Sequence, residues 1–205
     1  MMLRFALLAA LLALPAMAQD VPAPATPAPA PKPATIKVTL TTTEGAIVLE
    51  LEKERAPVTT ANFLRYVDAK RFDGIAFFRA MKLSWGGLIQ AGVRDASKLY
   101  PPIAHEPTTQ TGLSHVEGAI SMARLAPGSA TGDFTIMVGD MTGLDANPKA
   151  EGDNVGYAVF GHVAEGMDVV KHILDAPTSP TLGEGVMKGQ MIAAPVKILT
   201  ARRTP

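Results

Sequence analysis

Cysteine is absent from this 205-residue chain, and charge of one sign does not predominate. Without cysteine there is no disulfide framework, no thiolate nucleophile and no thiolate ligand for zinc. Lys and Arg number 19 and Asp and Glu number 19, so the formal net charge is zero and the electrostatic attraction behind nucleic-acid binding is missing. No apolar run reaches the roughly 20 residues of a membrane-spanning helix. These absences argue against disulfide-rich, nucleic-acid-binding and membrane-spanning classes.

Histidine is also scarce, and its spacing does not indicate a metal site. His105, His115, His162 and His172 do not form a His-x3-His or His-Glu-x-x-His pattern. We expect four separate solvated or hydrogen-bonded histidines, no metal and no cofactor.

The first 18 residues have the features of an export signal. One early charge, Arg4, precedes an apolar run over 5–14, a helix-breaking proline and a small-x-small end at 16–18. This pattern predicts a secretory signal peptide cleaved before Gln19. We therefore expect export to a bacterial periplasm, without stable membrane insertion after cleavage.

Residues 19–35 consist almost entirely of alanine and proline. Such a segment favours extended polyproline II and has too little apolar surface for a packed core, so it predicts a semi-rigid spacer rather than a docking motif. Residues 36–205 have the usual length of one domain with a single core. We expect this domain to be a monomer.

Alternating apolar and polar residues over 36–41 and 47–52, with Gly45 between them, predict a β-hairpin. Residues 56–70 carry a proline near the start and an apolar stripe, which predicts a helix. A second helix is predicted over 166–175. Five further strands are predicted over residues 75–81, 119–124, 133–138, 157–163 and 195–202. A mainly β fold, a closed antiparallel barrel with helices over its ends, would leave no strand edge exposed.

The stretch GIAFFRAM, residues 74–81, ends an apolar aromatic run with Arg79. One interpretation places Arg79 at a strand end with its guanidinium in water. The other places it at a functional site, since buried arginines are rare unless they are paired.

Five segments in this order resemble the cyclophilin family of peptidyl-prolyl isomerases, and the resemblance extends over about residues 36–202. The segments are residues 42–67, 72–81, 88–92, 118–134 and 156–170. The resemblance implies an eight-stranded barrel capped by two helices, with proline-containing polypeptides as substrates. It also implies that Arg79 lies at a functional site and not at a strand end in water.

By this resemblance Arg79 stands at the catalytic arginine and Gln90 at the glutamine that supports it. Leu88 and Leu144 fall on the wall of the proline pocket, and Ala123 falls on the strand that binds substrate backbone. Taken alone, the last three would be interpreted as ordinary core packing.

Several positions depart from the family pattern and imply a less aromatic pocket. Phe78 replaces a histidine, Asp133 a glutamine, Thr135 a phenylalanine and Tyr157 a histidine, while Gly143 falls where an aromatic residue usually stands.

We hypothesise that Asp133 pairs with Arg79 and that Phe134 or Trp85 completes the apolar wall. The predicted substrate-binding set is Gln90, Leu88, Ala123, Asp133, Phe134, Leu144 and Tyr157.

The methionines Met122, Met137 and Met141 are expected to fill the core at strand spacing, with a methionine-rich peptide-binding surface as the alternative.

Three functions remain open. The first is an isomerase that assists the folding of exported proteins, in which Arg79 donates a hydrogen bond to the prolyl nitrogen. The second is a proline-peptide-binding or chaperone module with weak or no isomerase activity. A small-ligand carrier is disfavoured because large aliphatic residues fill the inward positions.

Overall fold

The computed structural model describes residues 33–204. The predicted signal peptide and residues 19–32 of the predicted spacer lie outside the described residues. In residues 33–204 no helix is both long and apolar enough to cross a membrane.

Eight antiparallel strands close into one barrel, in the order β1-β2-β7-β5-β6-β4-β3-β8. The strands are β1 (Ile36–Thr42), β2 (Gly45–Leu51), β3 (Ala76–Leu83), β4 (Gly86–Gly92), β5 (Ala119–Met122), β6 (Phe134–Val138), β7 (Ala158–Glu165) and β8 (Met191–Thr204). The predicted closed barrel is confirmed. Closure pairs every strand on both sides, so no strand edge remains open to other chains.

Strand β4 is the one strand that alternation did not predict. Six of its seven residues are buried, and both of its faces are therefore covered. Strands β5 and β6 are buried at every residue and were still predicted, so burial alone does not explain the failure. Strand β4 differs in that three of its seven residues are glycine, which is depleted in strands and leaves only a short apolar run. By contrast, β2 alternates along its length, and its hairpin turn places Gly45 at φ 136°.

The two predicted helices are present as α1 (Pro57–Asp68) and α3 (Met167–Asp175), and a one-turn helix, α2 (Thr108–Thr111), lies between them in sequence. At the start of α1, no capping bond comes from the side chain of Ala56. Instead the buried carboxylate of Glu106 accepts hydrogen bonds from the backbone N–H groups of Val58 (3.1 Å) and Thr59 (2.7 Å). A carboxylate at this end of the helix also interacts favourably with the helix dipole.

Aromatic and aliphatic side chains fill the barrel interior. Phe63 from α1 packs against Phe134 and Phe160, with ring centroids 5.3 Å apart in each case. Phe77 from β3 meets Phe134 edge-on at 6.0 Å. Because these large side chains occupy the interior, the outward face of the sheet is where a site can form.

Candidate functional site

A β-bulge in β3 determines the direction of Arg79. Phe77 faces Ala91 on β4, whereas Arg79 faces Gln90, the residue just before it. Ala91 and Gln90 are consecutive on β4 and therefore point to opposite faces of the sheet. Their partners Phe77 and Arg79 must then point to opposite faces as well. Phe77 is fully buried inside the barrel. The extra residue is Phe78, and Arg79 consequently lies on the outer face of the sheet.

Two side-chain carbonyl groups hold the guanidinium of Arg79. Its Nη1 donates to Oε1 of Gln90 at 2.9 Å, and its Nε donates to Oε1 of Gln190 at 2.8 Å. The group is half-buried, and this burial lowers the pKa of Arg79, an effect that Tyr157 opposes. An arginine remains protonated under such a shift, so the site holds a fixed cation with N–H groups to spare.

Asp133 does not pair with Arg79, so the hypothesised ion pair is wrong. Gln90 lies between them: its Nε2 donates to Oδ2 of Asp133 at 3.3 Å while its carbonyl accepts from Arg79. Arg94 also contacts Oδ2 of Asp133, at 3.3 Å. Burial raises the pKa of Asp133, and Arg94 and Gln90 counteract the rise. Asp133 thus orients the amide that orients the arginine.

A polar row and an apolar row run side by side across the same strands. Arg79, Gln90, Thr135 and Ser121 are cross-strand neighbours on β3, β4, β6 and β5. The apolar row consists of Met81 on β3, Leu88 on β4 and Met137 on β6, which are also cross-strand neighbours. Each lies two residues from the polar row on its strand and therefore faces the same side of the sheet. The apolar row belongs to a second cluster outside the barrel core, with Ala119, Met141, Val159 and the partly buried Leu113 and Leu144.

These rows lie in a cavity of about 1190 Å³. Seven of the residues predicted for the site line it, namely Arg79, Leu88, Gln90, Ala123, Asp133, Leu144 and Tyr157. The two other residues proposed for the wall do not. Phe134 is fully buried in the barrel interior, because it alternates along the chain with the outward-facing Asp133 and Thr135. Trp85 lies in the β3–β4 turn and is 58% exposed.

The family model described as cyclophilin type peptidyl-prolyl cis-trans isomerase/CLD matches residues 37–202. The chain belongs to this family. A peptidyl-prolyl cis-trans isomerase of Acinetobacter baylyi is 35% identical over 161 residues, which cover 77% of this chain and 80% of that protein. One of Streptomyces antibioticus is 39% identical over 142 residues, covering 68% and 83%. Family membership and these relatives indicate peptidyl-prolyl cis-trans isomerase activity.

The fold agrees with solved cyclophilins. A cyclophilin type peptidyl-prolyl cis-trans isomerase of Cryptosporidium parvum superposes with a TM-score of 0.67 at 18% identity, covering 84% of this chain and 99% of that one. A second structure of that protein, in the presence of the dipeptide Ala-Pro, gives a TM-score of 0.65 at 19% identity, covering 82% and 99%.

In the protein described here, backbone hydrogen bonds and one cation–π contact hold the part of the cavity wall formed by Ala123, Leu144 and Tyr157. The N–H of Tyr157 donates to the carbonyl of Leu144 at 3.0 Å, and the guanidinium of Arg124 lies 4.8 Å from the Tyr157 ring centroid. The N–H of Ala123 donates to the carbonyl of Asp133 at 3.0 Å. The positions of Leu144, Tyr157 and Ala123 are therefore fixed by the fold rather than by substrate.

A buried histidine supports the cavity from behind, and the sequence prediction missed it. His115 Nδ1 lies 2.5 Å from Oδ1 of Asp145, and His115 Nε2 lies 2.9 Å from Oγ of Ser121. Burial lowers the pKa of His115, although Asp145 opposes this. A carboxylate can only accept, so the ring donates from Nδ1 to Asp145, while Nε2 shares a hydrogen bond with the Ser121 hydroxyl, which also contacts the carbonyl of Ala158 at 3.2 Å. The ring thereby links Ser121 in the polar row to the residue following Leu144.

Gln190 is the second residue that the sequence prediction missed. It follows the stretch 183–189, which contains three glycines, and it is 111 residues from Arg79. Its Nε2 donates to the backbone carbonyl of Val186 at 2.7 Å, which fixes the amide. No local pattern indicates so distant a partner.

The methionines divide between the two interpretations. Met122 belongs to the barrel core, while Met81, Met137, Met187 and Met191 line the cavity. Within residues 33–204 no three His, Cys, Asp or Glu side chains are grouped so that they could hold a metal ion.

Proposed function

We propose that this cyclophilin isomerises X-Pro bonds in exported polypeptides and that Arg79 is the catalytic residue. Rotation about such a bond faces a barrier of about 18–20 kcal/mol, because the nitrogen lone pair is conjugated with the carbonyl. In the twisted state the lone pair is localised on nitrogen and can accept a hydrogen bond. A donor fixed towards that nitrogen stabilises the twisted state more than either planar isomer, and this lowers the barrier.

This proposal rests on the two hydrogen bonds that orient the guanidinium of Arg79. Because Gln90 and Gln190 accept from Nη1 and Nε, the guanidinium is oriented before a substrate arrives. Donors oriented in advance need no reorganisation during the reaction, which makes them effective. The apolar row of Met81, Leu88 and Met137, beside the guanidinium, can accept the proline ring while the preceding carbonyl turns. No metal, cofactor or covalent intermediate is required.

The experiment is a comparison of Arg79→Ala, Arg79→Lys and wild type, measured as cis/trans exchange of a proline peptide by NMR. We expect Arg79→Ala to lose about a hundredfold in kcat/KM, in the range found for lost transition-state hydrogen-bond donors. Arg79→Lys should lose about tenfold or more, because an ammonium on a flexible stem cannot keep both amide contacts. Arg203→Lys, at an exposed pair with Asp68, is the matched control. A fully active Arg79→Lys variant would exclude the fixed-donor role.

The second candidate is a proline-peptide-binding or chaperone module with little turnover. It is favoured by the absence of aromatic side chains from the two rows, where Thr135 and three aliphatic or thioether residues stand instead. Binding of the same peptides without any rate enhancement would select this function. The Arg79 variants would then change affinity but not exchange rate.

Action on exported proteins is supported by the signal-peptide pattern of residues 1–18. We further propose a periplasmic monomer. The test is fractionation of bacteria that express the full chain, followed by N-terminal sequencing and sedimentation of the product. A periplasmic protein beginning at Gln19 supports export, and one that retains Met1 in the cytoplasm contradicts it.

A further inference from the structure

The segment after α3 presents apolar side chains to the cavity instead of burying them. In residues 33–204, nine large hydrophobic residues are exposed, and four of them line this one cavity. Three of the four, Leu182, Val186 and Met187, lie within six residues of one another, with 56%, 87% and 36% of their surface exposed. Single exposed apolar residues are common, but such a cluster beside a cavity is typical of a binding surface. We call these three residues the apolar rim.

The apolar rim is held in place by its own hydrogen bonds. The N–H of Gly189 donates to the carbonyl of Leu182 at 2.9 Å, and the N–H of Met187 donates to that of Glu184 at 3.0 Å. The side chain of Gln190 donates to the carbonyl of Val186 at 2.7 Å. A surface that is ordered before binding loses little conformational freedom when a ligand arrives.

The position of the rim relates it directly to Arg79. Gln190 contacts both Arg79 and Val186, so the Val186 carbonyl lies within about 8 Å of Arg79 Nε, across two hydrogen bonds and one amide group. An extended chain advances about 3.3–3.6 Å per residue. A peptide with its prolyl nitrogen at Arg79 would therefore reach the rim with a side chain about two residues from the proline.

We propose that the apolar rim is a specificity site for a large apolar side chain, such as leucine or phenylalanine, within two residues of the isomerised proline. This inference rests on the proposed function and names the class of client segment: proline next to bulky apolar residues, as found in chains that have not yet formed their core. The rim is continuous with the proline site, and Glu184 is the one charged residue of the rim segment that lines the cavity. An uncharged apolar occupant fits it best.

The experiment uses the peptide Ala-Ala-Ala-Pro-Ala-Ala, with leucine or the similarly shaped asparagine at each of the two positions before and after proline. NMR exchange gives kcat/KM for each peptide, and titration gives its Kd. We expect leucine to exceed asparagine by about tenfold at one position or more, as for a partly enclosed apolar contact. In a Leu182→Asn/Val186→Thr double variant this ratio should fall to about twofold or less. The ratio should persist in Leu199→Asn, which changes an exposed leucine of β8 outside the cavity.

The outcomes separate this inference from the proposed function. Equal turnover of leucine and asparagine peptides at all four positions would overturn the rim as a specificity site and leave the isomerase intact. A leucine preference that survives the double variant would overturn it as well. If no peptide is turned over, the isomerase proposal fails, and the Kd ratios for the same peptides and variants then decide whether the rim binds apolar residues.

Discussion

Replacing Gln190 by leucine removes one of the two carbonyl oxygens that hold the guanidinium of Arg79, and leaves the other in place. The Nε of Arg79 loses its 2.8 Å acceptor, while Nη1 keeps Gln90 at 2.9 Å. The bond to Gln90 and a weak contact from Nη2 to Sδ of Met81 at 3.8 Å still restrict the side chain, but they hold its plane less firmly. The donor should therefore be aimed at the prolyl nitrogen in only a fraction of the complexes.

The size of the effect follows from the type of bond. A hydrogen bond to a charged group contributes about 1.5–3 kcal/mol to stability when it is protected from water. The Arg79 side chain is only half-buried, so water replaces part of the lost bond, and we expect the lower end of that range. A loss of about 1.4 kcal/mol in the transition state corresponds to a tenfold lower kcat/KM. The loss should appear mainly in kcat, because the donor acts on the twisted state rather than on the bound planar isomers.

The assay is NMR exchange of one proline peptide over a range of concentrations, for wild type and three variants. Gln190→Glu keeps an acceptor for Arg79 and loses the donor to Val186, so it should retain turnover within about threefold of wild type if orientation of Arg79 is what matters. Gln190→Leu/Gln90→Leu should approach Arg79→Ala, at about a hundredfold loss. Gln110→Leu, at an exposed position of α2, is the matched control.

Three results would refute this reasoning. The first is a Gln190→Leu variant with wild-type kcat. The second is a loss confined to KM, which would mean that Gln190 binds substrate and does not position Arg79. The third is an equal loss in Gln190→Glu and Gln190→Leu, which would assign the effect to the Val186 contact and the shape of the apolar rim.

Other predictions concern the residues around the site. Glu106→Gln weakens the charged cap of α1 and should lower the free energy of unfolding by about 1–2 kcal/mol in urea denaturation, without changing kcat. His115→Leu leaves Asp145 and a serine without their ring partner and should cost about 2–4 kcal/mol in the same measurement. Burial lowers the pKa of His115, so the folded protein favours the neutral ring. The stability that this preference contributes is present above about pH 6.5 and is lost as the pH falls through the folded pKa. His115→Leu should lack this part of the pH dependence. Asp133→Asn keeps an acceptor for Gln90 and should retain kcat/KM within about threefold, whereas a hundredfold loss would mean that the carboxylate itself takes part in catalysis.

Most of the fold could be predicted from local patterns in the sequence. Alternation identified β1 and β2 because alternate residues are mostly apolar and buried and most of the residues between them are polar. The apolar stripe of α3 identified that helix. Local patterns failed for β4, in which three of seven residues are glycine, although the equally buried β5 and β6 were predicted. The order of family-like segments supplied what local alternation could not.

The sequence identified site residues through the surrounding segments that resemble the family. Arg79 and Gln90 lie in segments that resemble the family, and both line the cavity. Gln190 and the pair of His115 and Asp145 depend on contacts across 30 or more residues, which no spacing encodes. The error over Asp133 has the same origin, since the sequence shows that a carboxylate is near but not that the Gln90 amide lies between.

The bulge at Phe78 also allows a test in which the barrel stays intact. Phe77 and Ala80 face the core on either side of Phe78 and Arg79, and they pair with Ala91 and Ile89 on β4. Deleting Phe78 would leave one outward residue between two inward residues, which is the alternation of a regular strand. The variant should therefore keep its core pairing with β4, and its far-UV circular dichroism should remain that of wild type.

Turnover should nevertheless fall in the Phe78 deletion, because removing a bulge changes the local twist and hence the direction of the next side chain. We expect a loss of about tenfold in kcat/KM, similar to the loss of one acceptor of Arg79. Phe78→Ala keeps the bulge and removes only the ring that lies 4.7 Å from the Arg94 guanidinium. If Phe78→Ala loses as much turnover as the deletion, the ring matters and the bulge does not. If the deletion folds and keeps full turnover, the twist that the bulge adds does not aim Arg79 at the substrate, and this step of the argument is wrong.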